Sequence, residues 1–225
     1  MSEVIFSGAE GRLEGRYHPQ PKTEAPIALI LHPHPAYGGT MNNKVVYKLY
    51  YSFYRRGFAV MRFNFRGVGR SQGQSDALED GIGELSDAAA SLDFLQARHP
   101  NSKICWVAGF SYGAWIGMQL LMRRPEIGGF ISVAPPANML DFTFLAPCPS
   151  SGLIVNGTDD TVATPESVLE LVKRLQNQRG IVIHHRQIEG AGHFFEGESM
   201  AKLESVVNGY IASRNQPRRA RVKQI

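Results

Sequence analysis

The chain has 225 residues, of which 43% are hydrophobic and 20% charged, so it can form one packed core and is too apolar to be disordered. Its formal net charge of +4 could indicate an anionic partner such as a nucleic acid. Most of that excess lies in the last dozen residues: Arg214, Arg218, Arg219, Arg221 and Lys223. We therefore predict a single domain over 1–213 and a solvated basic tail over 214–225, with no nucleic-acid partner.

Cysteine usage and apolar stretches indicate the cellular compartment. Cys105 and Cys148 lack the spacing of a zinc site or a disulfide framework and are interpreted as reduced thiols. The first residues do not combine a charged head with an apolar stretch, and no apolar run approaches the roughly 18 residues of a membrane span. We expect a cytoplasmic protein without a membrane partner.

Short β-rich runs alternate with amphipathic stretches, which is typical of a mostly parallel sheet with helices on both faces. The first two runs, joined by a turn that contains Gly8 and Gly11, predict an antiparallel hairpin at one edge. The eight predicted strands are 3–8, 12–18, 26–31, 58–63, 103–109, 128–134, 152–157 and 181–188. At least five helices are expected, of which four have assigned ranges: 78–96, 112–123, 165–178 and 200–213.

The helix over 78–96 is predicted from apolar residues at three- and four-residue steps, which form one stripe. These residues are Leu78, Ile82, Leu85, Ala89, Leu92 and Leu95. Asp76 and Glu79, three positions apart, resemble a capping pair at its start.

The stretch GFSYG places Ser111 between Gly109 and Gly113, where a predicted strand meets a predicted helix. A tight turn needs glycines there, because side chains would collide with the neighbouring strand and helix. The hydroxyl then lies in front of a helix N-terminus, whose free N–H groups favour negative charge. The alternative is that Ser111 is only a helix N-cap, but a cap does not require paired glycines.

A serine hydroxyl needs a neighbouring base to become a strong nucleophile, and the base needs an orienting acid. His193, in a glycine-containing loop after the last predicted strand, is the candidate base. Asp159 and Asp160 both follow the strand 152–157, and either is a candidate acid or only a turn residue. The order serine, aspartate, histidine is among the known orders of such triads.

Two other patterns resemble sites for a metal or a cofactor. His32 and His34 could form a metal pair on one strand face, but no third group of ligands supports it. The glycines of FRGVGRSQG resemble a dinucleotide fingerprint, but the third is one residue late and no helix follows at once. We predict no metal and no cofactor. Arg66 and Arg70 of this loop are interpreted as ordinary loop cations, with contact to an anionic substrate group as the alternative.

Four segments together resemble the small, lidless bacterial α/β hydrolases, near the dienelactone-hydrolase and prolyl-peptidase-like branches. These segments are LHPHPAYGGTMNNK, FNFRGVGRSQG, GFSYGAW and NGTDDTV…GAGHFF, in the family's order. The resemblance implies an α/β-hydrolase fold, with an eight-stranded, mostly parallel sheet, helices on both faces and no cap domain. The linker 135–151 is too short for a cap. Its apolar residues either line an acyl pocket or simply pack: Leu140, Phe142, Phe144 and Leu145.

The resemblance also implies the roles of individual residues. The family's acid lies three residues after the glycine that ends the seventh strand, which selects Asp160. Its oxyanion hole uses the N–H after the nucleophile, here that of Tyr112, and one from the loop after the third strand, here that of His34. Dienelactone hydrolases use a cysteine nucleophile, so Ser111 argues against that reaction.

Together these residues predict a serine hydrolase that cleaves a carboxylic ester or thioester of a small molecule. Ser111 would form the acyl-enzyme, with His193 as base and Asp160 as orienting acid. A peptidase or amidase that uses the same triad is one alternative. A non-catalytic binding scaffold is the other, although a scaffold has no need of all three side chains. The sequence predicts no oligomeric state.

Overall fold

Eight strands form one sheet in the computed structural model, which describes residues 1–214. They are β1 (Ser2–Gly8), β2 (Gly11–His18), β3 (Ile27–Leu31), β4 (Ala59–Phe63), β5 (Cys105–Phe110), β6 (Ile127–Val133), β7 (Gly152–Gly157) and β8 (Ile183–Ile188). Their order is β1-β2-β4-β3-β5-β6-β7-β8. β2 pairs antiparallel with β1 and β4, and all other pairs are parallel. The predicted strands and the edge hairpin are confirmed.

The central strands explain where the candidate residues meet. Every residue of β3, β4 and β5 is buried, which is why these strands are continuous apolar runs instead of alternating ones. Because β3 and β5 to β8 run parallel, the loops that follow them lie at one edge of the sheet. All predicted site residues belong to these loops or to the start of the helix after β5.

Helices cover both faces of the sheet, as predicted. The α-helices are α1 (Lys44–Tyr54), α2 (Ile82–Arg98), α3 (Tyr112–Arg123), α4 (Pro165–Gln176) and α5 (Glu198–Arg214). On one face, Trp106 of β5 contacts Phe53 of α1 and Tyr210 of α5. The next residue, Val107, lies against Gly117 of α3. Successive strand residues point to opposite faces, so α3 covers the other one.

Helix α2 begins later than the apolar pattern predicts. Leu78 and Ile82, two members of the predicted stripe, are 72% and 60% exposed. Gly81 has φ 66°, a left-handed conformation that cannot belong to a right-handed helix, so α2 starts after it. Asp76 does bind this helix start, but by accepting a hydrogen bond from the Gly83 N–H (2.9 Å) and not through the capping pair predicted from its spacing.

The helical ranges predicted from the sequence do not include α1. Its sequence KVVYKLYYSFY is rich in aromatic and β-branched residues, which are more typical of strands. Asn43 caps it by accepting hydrogen bonds from the N–H groups of Val45 and Val46. This cap places Asn43 beside the candidate site.

The linker between β6 and β7 contains turns but no helix or strand, in agreement with the predicted lack of a cap domain. Phe142 and Leu145 of this linker are buried. Leu140 and Phe142 line a cavity of about 500 Å³ beside α4 that does not include Ser111, so they are not part of an acyl pocket at Ser111.

Two further predictions concern the membrane and the tail. Among residues 1–214, no helix is long and apolar enough to cross a membrane. The predicted basic tail, apart from Arg214, lies outside the described residues.

Candidate active site

A sharp turn between β5 and α3 carries Ser111. Its φ of 54° is unusual for a residue with a side chain. A Cβ on Gly109 would lie 2.2 Å from the carbonyl oxygen of Gly113. A Cβ on Gly113 would lie 2.5 Å from the carbonyl oxygens of Leu31 and His32. Main-chain contacts therefore require both glycines, as the sequence pattern predicts.

The hydroxyl of Ser111 makes no hydrogen bond to the backbone of α3, so the N-cap alternative is wrong. Instead, Ser111 Oγ lies 3.0 Å from Nε2 of His193. The main-chain N–H of Ser111 donates to the carbonyl of Val133 (2.8 Å), which holds the turn against β6. A strained residue held this firmly, with its hydroxyl against an imidazole, is typical of a nucleophile.

His193 lies between Ser111 and Asp160. Its Nδ1 is 2.9 and 3.1 Å from the two carboxylate oxygens of Asp160. Because a carboxylate can only accept, the hydrogen of a neutral imidazole lies on Nδ1, and Nε2 is left to accept the serine proton. The rings of Phe110 and Phe194 pack against the imidazole, with centroids 5.0 and 5.2 Å away. This packing keeps the ring in place.

The two neighbouring aspartates have different surroundings. Asp160 is buried, and its Oδ1 also accepts hydrogen bonds from the N–H groups of Val162 (2.9 Å) and Ala163 (2.8 Å). Asp159 is exposed and accepts from the hydroxyl of Thr158 (2.9 Å). The structure brings Asp160 to His193, whereas Asp159 forms part of the turn.

The two backbone donors expected for an oxyanion belong to Tyr112 and His34. Tyr112 opens α3, so its N–H is one of those that a helix leaves without an internal partner. His34 lies in the loop after β3, which folds back through a 3-10 turn at Pro35–Tyr37. His34 and Ser111 line the same cavity. Within residues 1–214, neither N–H donates to a protein acceptor.

The cavity at Ser111 and His193, which we call the serine cavity, has a volume of about 200 Å³. None of the described residues that line it is acidic. Sequence reasoning missed several of them: Tyr37, Gly38, Gly39, Asn43, Val162 and Phe194. Phe194 could have been identified from the sequence, because it directly follows the candidate base His193. Tyr37 and Asn43 carried no comparable signal, because their place depends on how the loop after β3 folds.

His32 is a buried structural residue and not a metal ligand. Its Nδ1 donates to the carbonyl of Pro33 (2.6 Å), and its Nε2 accepts from the N–H of Phe65 (3.0 Å). Burial lowers the pKa of His32 to about 4, so the ring is neutral. Both nitrogens are therefore occupied, which rules out the pair with His34. Across residues 1–214, no three histidine, cysteine, aspartate or glutamate side chains cluster as metal ligands would.

Arg66 and Arg70 form ion pairs with the protein. Buried Arg66 binds both carboxylate oxygens of Asp87, through Nε (3.1 Å) and Nη2 (2.9 Å), and also contacts Glu10 (2.6 Å). Arg70 donates to Glu14 from its main-chain N–H and from Nε, each at 2.9 Å. Neither residue lines the serine cavity, so contact with an anionic substrate group is not supported.

A second group of polar side chains lies beside Tyr112, and we call it the carboxyl cluster: half-buried Asp76, buried Glu84 and the buried Tyr112 hydroxyl. The carboxyl groups of Asp76 and Glu84 lie next to each other, and the hydroxyl of Ser75 donates to Oε1 of Glu84 (2.6 Å). Burial and the neighbouring carboxyl group of Asp76 raise the pKa of Glu84 to about 7. Asp76 Oδ1, Glu84 Oε2 and the Tyr112 hydroxyl meet no conventional donor or acceptor within the described residues.

Known proteins resemble both the sequence and the fold. Residues 36–148 match the family described as serine aminopeptidase, S33. An uncharacterized protein of Rickettsia prowazekii is 48% identical over 215 residues, 94% of this chain and 89% of the relative.

Two crystal structures extend the comparison. A protein of unknown function from Agrobacterium tumefaciens is 60% identical, with 95% of this chain and 96% of that chain covered and a TM-score of 0.91. An α/β serine hydrolase without a lid from Xanthomonas campestris is 29% identical, with 95% and 94% covered and a TM-score of 0.83. These relatives agree with a lidless α/β-hydrolase fold. Placement near the dienelactone-hydrolase branch stays a prediction.

Proposed function

Because the chain belongs to the serine aminopeptidase family of α/β serine hydrolases, we propose that it cleaves a carboxylic ester or thioester of a small substrate through an acyl-enzyme on Ser111. The observation that carries the proposal is the hydrogen-bonded series from Ser111 Oγ through His193 to Asp160. Each contact is within the reach that proton transfer requires.

In the proposed first step, Ser111 Oγ attacks the carbonyl carbon while His193 Nε2 takes the hydroxyl proton. The N–H groups of Tyr112 and His34 would stabilise the oxyanion, assisted by the N-terminus of α3. Asp160 stabilises the imidazolium and keeps its orientation. His193 then protonates the leaving alcohol or thiol, and a water molecule activated by the same base hydrolyses the acyl-enzyme.

One observation favours esters over N-terminal peptides. An aminopeptidase must bind the ammonium group of its substrate, and a carboxylate is the usual partner for it. The lining of the serine cavity contains no acidic side chain. A peptidase or amidase remains the second candidate, supported by the family description. A non-catalytic scaffold is disfavoured because binding alone does not require a strained serine aligned with a base and an acid.

The proposal includes a small-molecule substrate, no cofactor and no metal, for one domain over 1–213. It also includes a cytoplasmic location. Two buried cysteines that form no disulfide support this location.

Activity-based labelling tests the proposal. A fluorophosphonate probe should label the wild-type protein and not Ser111→Ala, and this variant should hydrolyse p-nitrophenyl acetate with kcat lower by about 10⁴–10⁶. Ser132→Ala is the matched control: this serine is buried on β6, where it pairs with Gly109, and it should still be labelled. Equal hydrolysis by wild type and Ser111→Ala would refute the assignment. Preference for p-nitroanilides over p-nitrophenyl esters would favour the amidase.

A further inference from the structure

A larger cavity adjoins the serine cavity. Its volume is about 660 Å³, and it is lined by residues at the start of α1 and in the loop between His193 and α5. We call it the side cleft. Asn43 and Phe194 line both cavities, so the two spaces meet at these side chains. A molecule bound at Ser111 can extend past Phe194 into the side cleft.

Phe194 is the most distinctive residue of this junction. The residue is 54% exposed and forms part of the lining of both cavities. It stands almost perpendicular to the His193 ring, with centroids 5.2 Å apart and an interplanar angle of 83°. Its position is well held, because His193 is fixed by hydrogen bonds on one side and Phe195 is fully buried on the other.

The backbone conformation of the next residue also keeps Phe194 at the surface of the cavities. Phe195 has φ 50°, which is rare for a bulky residue, and its N–H donates to the carbonyl of Gly192 (3.2 Å). This tight turn directs Phe195 into the core and leaves Phe194 outside. Strained turns of this kind occur where the geometry serves a site.

The chemistry of the proposed reaction decides which half of the substrate meets Phe194. The leaving oxygen must receive its proton from Nε2 of His193, so the alcohol half lies on the His193 side of the bond that breaks. Phe194 packs on the His193 ring and borders the side cleft, which places it within reach of the alcohol half. The acyl half stays in the serine cavity, whose 200 Å³ suits a small group.

We propose that the substrate is an ester of a small acid with a bulky, uncharged aromatic alcohol, whose ring packs on Phe194 at the entrance of the side cleft. This inference rests on the proposed ester hydrolysis. Ser111 Oγ forms a bond to the carbonyl carbon, the bond to the alcohol oxygen breaks, and that oxygen leaves with the proton carried by His193. The charged residues of the cleft are exposed Lys44 and exposed Glu196, one of each sign, which favours a neutral alcohol.

The test compares acetates of alcohols with similar acidity, so that differences report binding and not leaving ability. Wild-type kcat/KM should be about tenfold higher or more for benzyl acetate than for ethyl acetate. It should be lower for ethyl phenylacetate, which carries the ring on the acyl side, than for benzyl acetate. Benzyl alcohol should inhibit p-nitrophenyl acetate hydrolysis more strongly than ethanol does.

Four variants test whether the preference for benzyl acetate depends on Phe194. Phe194→Ala should lower the benzyl-to-ethyl ratio about tenfold, and Phe194→Leu should lower the ratio of benzyl to cyclohexylmethyl acetate, because leucine offers an apolar but not an aromatic surface. Tyr37→Leu, at a residue that lines only the serine cavity, should keep the benzyl-to-ethyl ratio. Tyr47→Leu is the matched control, because Tyr47 is an exposed aromatic residue of α1 that lines neither cavity.

The outcomes separate this inference from the proposed function. Equal kcat/KM for ethyl and benzyl acetate, a ratio unchanged in Phe194→Ala, or a preference for ethyl phenylacetate would overturn the aromatic-alcohol inference and leave ester hydrolysis standing. Failure to hydrolyse any ester, together with failure to react with the fluorophosphonate, would overturn both.

Discussion

Two groups of buried polar side chains lie on either side of the turn at Ser111, and they are organised in opposite ways. In the first, Ser111, His193 and Asp160, every donor faces an acceptor. In the carboxyl cluster, two carboxyl groups lie together next to the hydroxyl of Tyr112, and the pKa of Glu84 is raised to about 7. Successive residues, Ser111 and Tyr112, therefore belong to groups with different properties.

The difference shows that burial can favour proton transfer in one group and the protonated form of a carboxyl group in the other. A histidine between a hydroxyl and a carboxylate can accept a proton on one side while the other side stabilises the resulting charge. A buried carboxyl group next to a second one favours its protonated form, because burial and the neighbouring negative charge both oppose ionisation. Four predictions test this comparison, starting with the largest expected effect.

Replacing the acid should disable the first group without unfolding it. Asp160→Asn should lower kcat for p-nitrophenyl acetate by about 10⁴, because an amide can stabilise the wrong imidazole tautomer. Its remaining carbonyl oxygen can still accept from the N–H groups of Val162 and Ala163. Asp159→Asn, at the adjacent exposed position, is the control and should stay within about twofold of wild type. Equal losses in the two variants would contradict the assignment of Asp160.

The close contact of Gly113 with the main chain of Leu31 and His32 should not tolerate a larger side chain. Gly113→Ala should destabilise the fold by about 3 kcal/mol in urea denaturation, since its Cβ would lie 2.5 Å from two carbonyl oxygens. Gly209→Ala is the matched control. It adds a Cβ in open space within helix α5 and should stabilise the protein by about 0.5–1 kcal/mol. A neutral effect at residue 113 would show that α3 can move away from β3.

The carboxyl cluster should make stability depend on pH. Glu84 has its pKa raised from 4.5 to about 7, so the folded state binds its proton more tightly than the unfolded state. The contribution of this group to the free energy of unfolding should therefore fall by roughly 3 kcal/mol as the pH rises from about 4.5 to above 7. Glu84→Gln should remove that dependence, and Glu79→Gln, at an exposed position, should keep it.

His32 acts in the opposite direction, which sharpens the pH test. Its pKa is lowered from 6.5 to about 4, so its stabilising effect is present above pH 6.5 and is lost as the pH falls toward 4. The difference between wild type and Glu84→Gln isolates the cluster, because both proteins keep His32. If the free energies of unfolding of wild type and Glu84→Gln differed by the same amount at every pH from 5 to 8, the carboxyl cluster would not cause the pH dependence.

The smallest effect is expected at the hydroxyl of Tyr112. Tyr112→Phe should change the free energy of unfolding by less than about 1 kcal/mol, or raise it slightly, because the buried hydroxyl has no hydrogen-bond partner within residues 1–214 to lose. Urea denaturation measures it. A loss of more than about 1 kcal/mol would show that the hydroxyl has a stabilising partner in the carboxyl cluster, so that this cluster, like the group at Ser111, would be satisfied by hydrogen bonds.

The predictable parts of this protein depend on local rules. Strands such as 103–109 are recognisable because burial on both faces demands continuous apolar residues, and the turn at Ser111 because a Cβ at residue 109 or 113 would strike the main chain. The start of α2 was predicted wrongly, since the apolar spacing of Leu78 and Ile82 says nothing about the left-handed backbone at Gly81. Helix α1 was missed because its residues individually prefer strands.

The sequence by itself determined the fold class and indicated a serine, a histidine and a pair of aspartates as candidate catalytic residues. Both depend on patterns that extend over only a few residues, namely runs of apolar residues and a glycine-flanked turn. Tertiary structure decided that the carboxylate of Asp160 reaches His193, that Arg66 is buried in an ion pair, and that Phe194 borders a second cavity. Such contacts join residues tens of positions apart. They follow from how parallel strands bring their loops to one edge of the sheet, which no local pattern records.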